Sequence, residues 1–151
     1  MTTPHAEPRP VKLQAVGAAV TGAMLAYGAC YVFASTARQH EQTCATTDGL
    51  CWTWWDWAEI PFTFGTALIV LVIVYKALDI RPRLALIPPT LLLAPILITA
   101  AQATGGWWTA AVVGGVWSSS LALAAVSRHR VVYLVVAATL LLASLVVLYR
   151  Y

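Results

Sequence analysis

Charged side chains are scarce in this sequence. Only 10% of its 151 residues are Asp, Glu, Lys or Arg, whereas 60% are hydrophobic, and the mean hydropathy is +0.77. Because an average soluble domain has about 25% charged residues, this composition indicates that lipid surrounds most of the chain. The formal net charge of +3 is small and scattered, so we expect no nucleic-acid partner.

Residues that carry cofactor or metal chemistry are also few. The three histidines, His5, His40 and His129, all lie outside the long apolar runs, which excludes a haem held between two histidines inside the membrane. The sequence contains no zinc motif, phosphate-binding glycine loop or nucleophile elbow. We therefore expect neither a cofactor nor a metal.

Long apolar runs, in contrast, are abundant. A helix needs about 20 apolar residues to cross about 30 Å of hydrocarbon. Five such runs follow one another, over 13–35, 58–78, 84–103, 107–126 and 131–149. The sequence predicts an all-α polytopic bundle of transmembrane helices, with a disordered cytoplasmic tail over 1–12 and an outer polar loop over 36–57.

Prolines modify two of the predicted spans. Pro61 suits the first turn of the second helix, where its missing amide proton costs little. Pro88, Pro89 and Pro95 fall inside the third span, which should therefore be kinked or partly unwound. The third and fourth spans could also dip into the membrane together as a re-entrant unit.

The orientation follows from the basic residues beside the spans, which are enriched on the cytoplasmic side. With the amino terminus inside, seven of the nine basic residues lie inside, namely Arg9, Lys12, Lys76, Arg81, Arg83, Arg128 and Arg130. Only Arg38 and Arg150 lie outside, as does the carboxyl terminus. The seven arginines against two lysines fit a bacterial chain, so we expect the bacterial inner or plasma membrane.

Tryptophans collect at one predicted interface, the outer one. Indole rings prefer the boundary between lipid and water, and the expected belt consists of Trp52, Trp54, Trp55, Trp57, Trp107 and Trp108.

Two cysteines lie close together in the predicted outer loop. Cys44 and Cys51 are separated by six residues, and the outer side of a membrane is oxidising. We predict a disulfide between them, with a redox pair, a metal site or free thiols as alternatives. Cys30 is expected to be a packing residue.

Two acids lie near the start of the second span. Asp56 and Glu59 are three residues apart, so they share one face of a helix, and carboxylates at a helix amino terminus are stabilised by the helix dipole. The alternative is an acidic, tryptophan-framed pocket for a cation or for proton transfer. We expect the structural role and keep both acids as catalytic candidates.

Small residues repeat every four positions on two spans. Ala18, Gly22 and Ala26 form one stripe on the first span, and Ala111, Gly115 and Ser119 form another on the fourth. Such stripes let helices approach closely in lipid, so we expect them to contact each other or a second subunit.

The sequence is compatible with three functions. The first is a non-enzymatic subunit or accessory factor of a membrane complex, assembling with other membrane proteins or with itself. The second is a small transporter or channel component, which would show a polar path between the third and fourth helices. The third is a membrane-embedded enzyme acting on a lipid or isoprenoid, in which both acids would converge on an apolar cavity at the outer interface.

Overall fold

The fold is known from a computed structural model, which describes residues 10–45, 54–78, 83–126 and 130–150, and within them omits the side chains of Trp55, Asp56, Val126 and 83–86. These segments form α1 (Val11–Cys44), α2 (Trp54–Ala77), α3 (Arg83–Gly105), α4 (Trp107–Val126) and α5 (Arg130–Arg150). All five helices are long and apolar enough to cross a membrane. The prediction of an all-α chain with five apolar helices is confirmed.

The first helix is longer than the predicted span. α1 has 34 residues, which at 1.5 Å per residue is about 51 Å and well beyond the hydrocarbon thickness of a bilayer. Residues 36–44, assigned from the sequence to a loop, are helical because Arg38, Gln39 and Glu41 are good helix formers and no glycine or proline intervenes. Polarity marked the end of the apolar run and not the end of the helix.

The second helix also begins earlier than expected. It starts at Trp54, so residues 54–57 are helical as well, and Pro61 lies in the helix interior and not in the first turn. The third helix contains Pro88, Pro89 and Pro95 and yet is continuous, so it is not unwound at these positions. Gly106, with φ of 75°, separates α3 from α4 in a conformation that side chains other than glycine rarely adopt.

The fourth helix is the centre of the bundle. It packs most extensively on α1 and also contacts α3 and α5. α2 packs on α1 and α3, and in the described segments no Cα atom of α2 lies within 8 Å of one in α4 or α5. The core is built around Ala18, Leu71, Tyr75, Leu97 and Trp117. α2 is therefore held at the side of a bundle that the other four helices form.

The bundle has two distinct ends. At what we term the Gln14 end, Gln14 Nε2 at the start of α1 donates a hydrogen bond to the carbonyl oxygen of Leu78, just after α2, at 2.9 Å. At the tryptophan end, where Trp54, Trp57, Trp107 and Trp108 open α2 and α4, Tyr27 of α1 stacks edge-on against Trp107 with ring centroids 5.7 Å apart. Neighbouring helices in the chain thus run in opposite directions.

Candidate functional site

The closest helix contact in the described structure joins α1 to α4. A Cβ atom added to Gly22 would overlap Ser118 Oγ and would lie 2.5 Å from the carbonyl oxygen of Gly114. A Cβ on Gly114 would in turn lie 2.5 Å from Ala26 Cβ. Ser118 Oγ donates a hydrogen bond of 2.6 Å to the carbonyl oxygen of Ala18. Only glycines permit so close an approach of two backbones.

The stripe on α1 takes part in this contact as a whole, but the contact face of α4 is centred one position away from the stripe named from the sequence. It follows Ala110, Ser118 and Ala122, which are deeply buried and continue through Gly114 at the same four-residue spacing. Gly115 is buried as well, and an added Cβ there would be 3.0 Å from the carbonyl oxygen of Ala19, so this member of the predicted stripe also lies against α1.

The other two members of the stripe on α4 lie beside this contact. Ala111 is half-buried, and the hydroxyl of Ser119 donates to the carbonyl of Val116 in its own helix at 3.0 Å. α4 has two adjacent stripes of small residues, and their spacing alone does not show which of the two is centred on the contact with α1.

The tryptophans gather as a partly exposed layer at one end. Trp54 and Trp108 are the most exposed of them, while Trp107 is half-buried between Tyr27 and Tyr31. Trp57 is also exposed. Trp52 and the side chain of Trp55 lie outside the described residues, so their place in the belt stays a prediction.

The two acids do not share the first turn of α2. Because the helix begins at Trp54, Asp56 lies in the first turn, but Glu59 lies in the second, where its amide is already bonded within the helix. The Glu59 side chain is half-buried and does not line the cleft described below. The Asp56 side chain is not among the described ones, so whether the two carboxylates meet stays untested.

The cysteines divide between two places. Cys30 is a free thiol, fully buried among Ala101 and Ala110. Cys44 ends α1, with its Sγ 3.9 Å from Nδ1 of His40. Cys51 lies outside the described residues, so the disulfide stays a prediction. In the described part of the chain, no group of three His, Cys, Asp or Glu side chains could hold a metal ion.

A cleft of about 520 Å³ lies between α1, α2 and α3, with α4 as its floor. Its existence follows from how α2 packs. Toward the Gln14 end, Leu71 and Tyr75 of α2 and Leu78 just after it are buried in the core, whereas between Trp54 and Val70 every described residue keeps part of its surface exposed. The tryptophan-end half of α2 therefore packs less closely on the bundle.

The walls of the cleft are mostly hydrocarbon. Among the described residues its lining includes no acid, base or cysteine, and the polar ones are Thr63, Thr66, Thr90, Thr99, Gln102, Trp117 and Ser118. The hydroxyl of Thr99 is used within its own helix, donating to the carbonyl of Pro95 at 2.8 Å. Thr63 Oγ1 and Trp117 Nε1 are buried without a hydrogen-bond partner. A cleft with this lining can hold an apolar molecule.

The third and fourth helices meet closely at their joined ends. Thr109 Oγ1 donates to the carbonyl of Ala101 at 2.6 Å, across the turn at Gly106. The buried residues at this level are Cys30, Ala101 and Ala110, and small apolar groups of this kind do not line a polar path.

Comparison of the chain with family models, with curated proteins and with solved structures found no match. The candidate site is an apolar cleft beside a tightly packed helix pair.

Proposed function

We propose that the protein is a small non-enzymatic membrane protein that serves as a subunit or accessory factor of a membrane complex. The observation that supports this most is the chemistry of the cleft. Apolar clefts are common places for a ligand to bind, and the described residues that line this one offer no side chain that exchanges protons near neutral pH. Such a lining suits binding more than catalysis.

The tryptophan-end half of α2 gives the proposed partner a place to bind. Trp54, Ile60 and Phe62 expose more than half of their surface, and every described residue of this half keeps part of its surface exposed. A neighbouring membrane protein that packs here would cover a helix that the rest of the bundle leaves uncovered on most sides.

Photo-crosslinking in intact membranes tests this role. A benzoylphenylalanine at Ile60, which is 57% exposed and lies outside the cleft lining, should give a discrete adduct with one other membrane protein or a second copy. The matched control is Leu142 on α5, which is 61% exposed and should give no protein adduct. Equal labelling at the two positions, or none at either, would contradict a specific partner at α2.

We also propose that the chain lies in a bacterial inner or plasma membrane with its amino terminus in the cytoplasm and its carboxyl terminus outside. The support is the distribution of basic residues. Reporter fusions after Arg83 and after Arg130 should report cytoplasm, and a fusion between Cys44 and Cys51 should report the outside. An outside signal after Arg83 would contradict this orientation. The loop between Cys44 and Cys51 would then not lie on the oxidising side, and the proposed disulfide would lose its support.

A further inference from the structure

We propose that the cleft between α1, α2 and α3 is a lipid-binding site that holds one acyl chain of a membrane lipid, with the polar head of that lipid at the tryptophan end. This goes beyond the role as a subunit and does not depend on it.

The cleft is accessible from the side of the bundle. Met24 of α1 and Phe62 of α2 both line it, and both are exposed, at 72% and 68%. Pro95 and Thr99 of α3 also line it and are exposed. In a helix bundle that spans a membrane, a side opening between such residues faces lipid, so hydrocarbon is the medium that enters it.

The width of the cleft fits one chain and not a helix. Its lining on α1 extends from Gly22 to Phe33, which is about 16 Å of helix at 1.5 Å per residue. Spread over that length, 520 Å³ corresponds to a channel about 6 Å across for the centre of a water molecule and about 9 Å across from wall to wall, whereas a helix with its side chains is about 10–12 Å across. A partner helix would have to displace α2, but a single acyl chain would not.

The two ends of the cleft differ in their surroundings. Leu71, Leu97 and Trp117 line its deep part and belong to the hydrophobic core. Gln102 lines it three residues from the end of α3, toward the tryptophan end. Tryptophans favour the boundary between lipid and water, where the polar head of a lipid also lies, so a chain in the cleft would have its head at this end and its tail against the core.

Two glycines provide a matched pair of variants. Gly28 and Gly65 both have nothing within 4 Å of an added Cβ, but only Gly28 lines the cleft. Gly28→Phe should therefore place a ring in the cleft, and Gly65→Phe should place one outside it. Neither side chain meets a neighbouring atom at its first carbon, so both variants should fold.

The experiment is native mass spectrometry of the full-length protein released from phosphatidylethanolamine–phosphatidylglycerol nanodiscs. The wild type and Gly65→Phe should retain one phospholipid per chain, and Gly28→Phe should retain about tenfold less. Equal retention by Gly28→Phe, or no retained phospholipid in the wild type, would overturn the proposal. Retention of an isoprenoid in place of a phospholipid, when native membrane extract is supplied, would also overturn it.

A second measurement covers the case in which Gly28→Phe does not fold. A phosphatidylcholine with a diazirine in mid-chain should label Leu71 and Leu97, which line the cleft but are only 1% exposed, in the unmodified protein. Labelling confined to exposed residues such as Leu142 would contradict an occupied cleft. Because both readouts follow lipid, a failed partner crosslink at Ile60 would leave them unchanged.

Discussion

Gly22 and Gly28 lie on the same helix, two turns apart at most, and meet opposite surroundings. An added Cβ at Gly22 would overlap Ser118 and would lie only 2.5 Å from the carbonyl oxygen of Gly114, whereas at Gly28 nothing lies within 4 Å. One glycine lets α1 and α4 close on each other, and the other borders the cleft that α2 leaves open. A small residue in a membrane helix thus marks either a close contact or a space, and only the neighbouring helix decides which.

The difference between these regions follows from where hydrogen bonds and side chains fix the helices. α1 is joined to the middle of α4, where Ser118 Oγ donates a hydrogen bond to the carbonyl of Ala18. α2 is joined mainly at one end, through Gln14 and the buried side chains of Leu71, Tyr75 and Leu78. The other half of α2 keeps every described residue partly exposed, and residues of that half line the cleft.

The largest expected effect is that of a bulky side chain in the close contact. Gly22→Leu should abolish accumulation in the membrane, since overpacking costs about 1–3 kcal/mol for small insertions and more when backbones must separate. Gly115→Leu, where the nearest backbone atom lies 3.0 Å from the added Cβ, should reduce accumulation less. Gly28→Leu is the control and should accumulate normally by immunoblot. Normal levels of Gly22→Leu would mean that α1 and α4 are not in close contact.

A smaller effect is expected from the hydroxyl that bridges the two helices. Ser118→Ala should lower the free energy of unfolding by about 0.6 kcal/mol and at most about 1.7 kcal/mol, the range found for hydrogen bonds between membrane helices. Ser119→Ala is matched to it, because that hydroxyl donates only within its own helix in the described structure, and it should change the value by less than about 0.5 kcal/mol. Denaturant titration in detergent, followed by circular dichroism, measures both free energies. A larger loss for Ser119→Ala would contradict the placement of Ser118 on the contact face of α4.

The smallest effect is expected from the two acids. Asp56→Asn and Glu59→Gln keep the acceptor oxygen and remove only the charge, so each should change the free energy of unfolding by less than about 0.5 kcal/mol. The phenotype of the gene should also be retained in a complementation experiment. If both variants are well expressed but inactive while Gly115→Leu is normal, the acids carry out proton or cation chemistry, and an enzyme or transporter should replace the proposed role.

The number and type of the helices could be predicted from sequence because length and hydropathy are local properties. The end of α1 could not be predicted in this way, since Arg38 and Glu41 are polar enough to leave the membrane and still favour a helix. The start of α2 at Trp54 was missed for a similar reason, which placed Glu59 one turn too close to the helix terminus.

The candidate site was less predictable than the fold. The small-residue stripe of α1 could be found by spacing, but α4 has a second stripe beside the one through Gly115, and the choice between them depends on how the helix is rotated. The cleft depends on the divergence of α2, which is set by contacts near Gln14 and Leu78 that are distant in sequence. Neither rotation nor divergence is a property of one segment.

The measurement that tests the contrast between contact and cleft most directly is the unfolding free energy of four glycine-to-alanine variants. Gly22→Ala and Gly114→Ala should lower it by about 1–3 kcal/mol through overpacking. Gly28→Ala and Gly65→Ala should leave it unchanged or raise it by up to about 1 kcal/mol, because alanine favours a helix more than glycine does. If all four variants change the unfolding free energy with the same sign and by the same amount, this account is contradicted. Gly22 and Gly114 would then lie in no closer a helix contact than Gly28 and Gly65 do.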